Sequence, residues 1–265
     1  MSHPLPPEIH DLIVDFLHDE RVALNACCLV SKSWVPRARS HLFTHIELGA
    51  HLSRVSQWTT TFPDPSNSPG HYARSLTIHG SLTTTPLFVN WIQAFSSVVH
   101  LHLDMDRGPY LLTPFHGLSR TLKSLRLVYR ISIPPSEIFS FVCSFPLLED
   151  LSLAPLCDTT TAHEWNVPPT SPKFTGTLNV RTPYGIDSVV RCLVELPDGL
   201  RFTSIELFFD SGGTESVTNL LSKCSETLES LKMCCLVTRK PPSLASAIGQ
   251  RLTTTCGHSP GHTFD

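Results

Sequence analysis

Short stretches in which apolar and polar residues alternate recur along most of the chain. They are SLTIHG (Leu76, Ile78), HLHLDM (Leu101, Leu103), SLRLVY (Leu125, Leu127), DLSLAP (Leu151, Leu153), TLNVRT (Leu178, Val180), SIELFF (Ile205, Leu207) and SLKMCC (Leu231, Met233). Alternation with period two predicts strands buried on one face. The first apolar residues of successive stretches lie 25, 24, 26, 27, 27 and 26 residues apart, a regularity that chance rarely produces. A second apolar position three residues earlier recurs at Ala73, Val98, Leu122, Leu148, Phe202 and Leu228, and fails only at Thr175. Helix-like segments fall between the strands, at Leu87–Phe95, Ser136–Phe145, Ile186–Leu196 and Glu215–Cys224. Strand, turn, helix and turn in about 26 residues predict a β-α solenoid with parallel strands over 71–240.

The first forty-odd residues follow a different rhythm. Leu5-Pro6-Pro7-Glu8 is a helix start, because proline is tolerated in the first turn and an acid suits the positive end of the dipole. Ile9, Leu12, Ile13, Phe16 and Leu17 then fall at helical spacing and form one apolar stripe. A second apolar run covers Val22 to Val30, and a third helix carries Trp34, Val35, Ala38 and Leu42, with Pro36 in its first turn. Three short helices have little core of their own and lean on a partner or on the rest of the chain. Thr59 to Gly70 (TTTFPDPSNSPG) reads as a turn-rich link with little capacity for helix or strand.

Composition narrows the classes of function. Twenty basic and twenty-three acidic side chains leave a net charge of −3, which provides no cationic field for nucleic acid. Hydrophobic residues make up 41% of the chain, enough for a sizeable core. Charged residues are 16%, against about 25% in an average domain, so a partner is expected to cover part of the surface. The N-terminal residues lack the basic region of a secretory leader, and no apolar run approaches the roughly 18–20 residues of a membrane span. Nine cysteines, an odd number without a CxxC pair, read as reduced thiols of a cytoplasmic or nuclear protein.

LPPEIHDLIVDFL, the run ending in CLVSKSW, and Arg37 with His41-Leu42-Phe43 together resemble an F-box, in the style of the fungal F-box family. The matching positions are Leu5, Pro6, Ile9, Ile13, Leu17, Leu24, Cys28, Leu29, Val30, Lys32, Trp34 and Leu42. The downstream LxxLxL skeleton resembles degenerate leucine-rich repeats, although the asparagine or cysteine usual after each strand is mostly missing. The resemblance implies an α + α/β fold: a three-helix F-box over 1–46, a connecting segment over 47–70, the solenoid over 71–240 and a disordered tail over 241–265. It further implies docking on the Skp-type adaptor of a cullin–RING ubiquitin ligase, with an unidentified protein target held by the repeats. Leu5, Pro6, Ile9, Ile13, Leu17, Leu24, Cys28, Val30, Lys32 and Trp34 would face the adaptor, with Ile13, Leu17 and Trp34 as its hot spots. An adaptor-binding scaffold that delivers no target is the alternative.

Alternation also assigns the polar face of the strands, which would meet the target. Its candidates are His79, His100, His102, Asp104, Arg126, Asp150, Arg181, Glu206, Phe208 and Lys232. Chemistry is otherwise sparse. Gly257-His258-Ser259-Pro260-Gly261 matches the spacing of a hydrolase nucleophile elbow, but only four residues follow it and proline blocks the helix that the motif needs. Cys256, His258 and His262, and the pair His100 and His102, lack the further ligands that zinc requires. The expectation is a non-catalytic protein without metal or cofactor.

Overall fold

The structure, a computed structural model, describes residues 6–49, 52–79, 90–105, 112–118, 120–130, 133–155, 169–182, 186–209, 214–235 and 253–254. Three helices open it: α1 (Pro7–Phe16), α2 (Arg21–Val30) and α3 (Val35–Leu42). Strand β1 (His45–Leu48) follows, then α4 (Leu52–Thr61). The rest of the sheet comprises β2 (Ser75–His79), β3 (His100–Met105), β4 (Ser124–Tyr129), β5 (Asp150–Pro155), β6 (Thr177–Arg181), β7 (Ser204–Phe209), β8 (Ser230–Cys235) and the two-residue β9 (Thr253–Thr254). Helices α5 (Pro135–Cys143), α6 (Ile186–Val194) and α7 (Thr214–Cys224) lie in three of the crossovers.

All neighbouring strands are parallel and follow one another in chain order, from β1 to β9. Parallel neighbours cannot be joined by a tight hairpin, so each step needs a long crossover. The register aligns the alternating leucines in one row, Leu76, Leu101, Leu125, Leu151, Leu178, Ile205 and Leu231. That row is buried, with Phe115, Phe139, Phe141, Phe145, Phe174 and Phe202 filling the space behind the sheet.

This corrects the expected fold class. The sequence reading divides the chain into a helical F-box followed by a solenoid, an α + α/β arrangement. The structure instead has one all-parallel sheet with its helices, an α/β fold. The sheet already begins at His45, inside the segment assigned to the helical module, because Ile46 and Leu48 alternate into the core and pair with Leu76 and Ile78. Thr59–Thr61 ends a helix rather than opening a loop. Trp58 anchors that helix among Phe43, Phe62, Trp91 and Phe95, and such packing outweighs the modest helix propensity of threonine. Two 3-10 turns complete the stretch, Pro65–Asn67 and Pro69–Tyr72, the first capped by Asp64. Of the tail expected to be disordered, Thr253–Thr254 pairs with β8, and the remainder lies outside the described residues.

A repeating device sets the register. The carbonyl just before each strand accepts two backbone N–H groups from the next repeat: Thr44 from Arg74 and Ser75, Arg74 from Val99 and His100, Val99 from Lys123 and Ser124, and Lys123 from Glu149 and Asp150. At β6 the device changes. Glu149 O accepts only Gly176 N, and the Asp150 carboxylate takes Thr177 N at 2.6 Å. A Cβ on Gly176 would lie 2.3 Å from Asp150 Oδ1 and 3.1 Å from Glu149 O, so this position has no room for a side chain. This is also where the apolar skeleton fails, at Thr175. Gly176→Ala is expected to displace the carboxylate and cost about 1 kcal/mol, the net value of the hydrogen bond lost at this exposed strand start. Urea unfolding of the variant checks this, and Asp150→Ala should lose a similar amount.

Candidate functional site

Two surfaces hold the sequence-predicted site residues. The first is built by α1–α3, which pack around Val14, Leu24, Cys27 and Ala38, with Leu17, Cys28, Trp34 and Leu42 at the margin. Val14 lies about 140° around α1 from Ile9, on the basis of about 100° per residue. The helix therefore turns Val14 inward and leaves the stripe of Ile9, Leu12, Ile13 and Phe16 facing out. On α2 the same division sets Leu24 and Cys27 against Val22 and Leu29. Leu12 is 62% exposed, Phe16 88%, Val22 82%, Leu29 88% and Val30 69%, a concentration of bare apolar surface that soluble proteins rarely leave uncovered.

The predicted adaptor residues therefore divide. Pro6, Ile9, Ile13, Val30 and Lys32 are exposed, whereas Leu17, Cys28 and Trp34 are half-buried. Leu24 is fully buried and serves the small core. Leu5 lies outside the described residues. Phe16, Val22 and Leu29 are the most accessible large apolar side chains among the described residues, and they and Leu12 are absent from the expected interface. Their helical spacing was visible in the sequence, but spacing alone does not reveal which face stays bare.

Asp15 fixes the geometry of this unit. Its carboxylate receives Nε and Nη2 of Arg37 at 2.5 and 2.6 Å and meets His41 Nε2 at 2.7 Å, which ties α1 to α3. The hydrogen bond from Arg37, then that from His41, hold the Asp15 carboxyl well below the usual carboxylate range. A depressed folded-state pKa means that the contribution is complete above the unfolded value and fades as pH falls toward the folded one. Asp15→Asn is expected to lower the stability of the helical unit at neutral pH. The gap to the wild type should stay constant above about pH 5 and shrink below about pH 4. Melting followed at several pH values checks the sign.

The second surface is the polar face of the sheet, where the candidates sit at alternate strand positions. At one end His79 Nδ1 lies 3.4 Å from Asp104 Oδ2, His79 Nε2 lies 3.5 Å from Glu47 Oε1, and the His79 and His102 rings meet edge to face at 5.6 Å. Burial, with repulsion from Arg126 and His79, pushes the His102 pKa down. At the other end Glu206 accepts from Asn179 Nδ2 at 2.8 Å, Lys232 Nζ at 2.9 Å and Arg181 Nη2 at 3.4 Å. Lys232 and Arg181 hold its carboxyl low. Arg126 and His100 are exposed and Phe208 is half-buried. Asp150, expected to meet a target, is committed to Thr177 N.

Burial pushes the thiols of Cys143 and Cys192 up to about 12 and that of Cys224 to about 11, away from the thiolate form that nucleophiles need. Among the described residues no group of three His, Cys, Asp or Glu side chains is placed to hold a metal ion. The GHSPG segment and Cys256, His258 and His262 lie outside the described residues. No described helix is long and apolar enough to cross a membrane. No protein-family model matches the chain, and no curated protein matches it.

Proposed function

We propose that this protein is a non-catalytic substrate-recognition subunit of a cullin–RING ubiquitin ligase. Its N-terminal helices, whose sequence resembles an F-box, dock on a Skp-type adaptor, and the polar face of its sheet holds a protein target. The observation that carries this reading is the exposed apolar surface of α1 and α2, led by Leu12, Phe16, Val22 and Leu29. Fully burying a side chain of this kind yields about 1.5–3 kcal/mol. Several together match the lower part of the roughly 4–15 kcal/mol that association costs. Net affinity then depends on helices already held in place, which is what the Asp15–Arg37–His41 link does.

In this reading the protein works in the cytoplasm or nucleus by raising the concentration of target lysines near a charged conjugating enzyme that other subunits supply. Co-purification of the full chain with a Skp-type adaptor and a cullin tests it. A ternary complex is the expected result. Adaptor capture without the cullin would favour the scaffold alternative, and no capture at all would overturn the assignment.

A further inference from the structure

The polar sheet face has two ends whose charges are balanced differently. At the β6–β8 end the Glu206 carboxylate is met by both Arg181 and Lys232. At the β1–β4 end Glu47 and Asp104 have no lysine or arginine partner among the described residues, and only His79 stands between them. A second observation is independent of charge. Asp104 Oδ1 and His102 Nε2 are shielded from solvent and have no hydrogen-bond partner among the described residues. Native proteins rarely leave such atoms unsatisfied without a ligand or functional reason.

We propose that this end of the sheet takes a basic side chain, arginine or lysine, of a protein segment laid across β1–β4. The proposal rests on the reading of this face as the target side. The groups that surround the site are Glu47, Thr77, His79, His102, Asp104 and, on β4, Arg126. A carboxylate only accepts hydrogen bonds, so Asp104 and Glu47 call for a donor, and a neutral imidazole beside them offers one nitrogen of each kind. Burial, more than the Arg126 paired with it in register, pushes the His102 pKa down, while Asp104 and Glu47 pull it the other way. The Asp104 side chain keeps 24% of its surface exposed, so a donor arriving over the strand can reach the carboxylate. A guanidinium or ammonium held there gives Asp104 and Glu47 the cation that Lys232 and Arg181 give Glu206.

The test uses the full chain with labelled histidine rings, titrated with acetyl-Gly-Ser-Arg-Ser-Gly-amide and with the same peptide carrying glutamate. The arginine peptide is expected to move the His79 and His102 resonances saturably, and the glutamate peptide is not. Asp104→Asn should weaken binding about tenfold, the value of a hydrogen bond to a charged group. Glu47→Gln, at an exposed position that folding does not need, should weaken it about twofold to threefold. Arg126→Ala should leave binding unchanged or tighter. Preference for the glutamate peptide, arginine binding indifferent to both carboxylate variants, or no movement up to about 10 mM peptide would each overturn the proposal. Adaptor capture, read separately on the same protein, stays positive if only this proposal fails.

Discussion

Replacing Phe141 by alanine is expected to lower the stability of the protein by about 3–5 kcal/mol, the usual cost of emptying a buried aromatic site. Phe141 is 2% exposed and lies on α5, behind the sheet. Its ring meets Phe145 edge to face at 4.9 Å and Phe115 at 6.3 Å, and His116 stacks on it at 6.0 Å. Removing it takes away both the transfer free energy of the ring and the aromatic contacts, and close-packed neighbours collapse only partly into the space. Urea unfolding measures the loss, and Phe141→Leu should cost distinctly less because most of the volume is kept. A cost below about 1 kcal/mol for the alanine variant would mean that α5 is not seated as described.

A double replacement of Leu12 and Phe16 by glutamine is expected to have the opposite profile. Both side chains project from the outer face of α1, away from Val14, and glutamine is a good helix former. Folding stability should change by no more than about 0.5 kcal/mol, as at other surface sites. Adaptor affinity should fall at least about a hundredfold, because Phe16 and Leu12 offer the largest accessible apolar area on α1 and interface energy concentrates in such anchors. Calorimetry against the isolated adaptor reads the second effect and thermal melting the first. Loss of stability comparable to the loss of affinity would place these side chains in the fold rather than in an interface.

The contrast between these substitutions marks what the sequence makes legible. Strands β2 to β8 lie where period-two alternation and the repeat of about 26 residues place them, since both cues are local and reinforce each other. β1 stands outside this pattern, because only Thr44 separates its HIEL from Leu42-Phe43 and the 30 residues from Ile46 to Leu76 break the spacing. The division into a helical module and a separate array failed for the same reason, because the sheet begins before the link that seemed to separate them. On α1 and α2 the periodicity locates an apolar face but not what covers it. Val14 turns inward although the longer stripe lies on the other side, a choice made by α3 through Asp15, Arg37 and His41.

Charged positions were the least legible. Asp150 and Glu206 both lie on the polar face by alternation, yet one closes a backbone gap beside Gly176 and the other is held by two cations. Those partners lie 25 to 27 residues away and become neighbours only through strand register. The pairing of Glu47, His79 and Asp104 across three strands has the same origin.

Hydrogen exchange of the full chain, with and without a Skp-type adaptor, tests the central claim most directly. The account predicts slowed exchange on binding across 7–30, in α1 and α2, with β2 to β8 unchanged. Protection centred on the strands, or no protection anywhere at saturating adaptor, would contradict it.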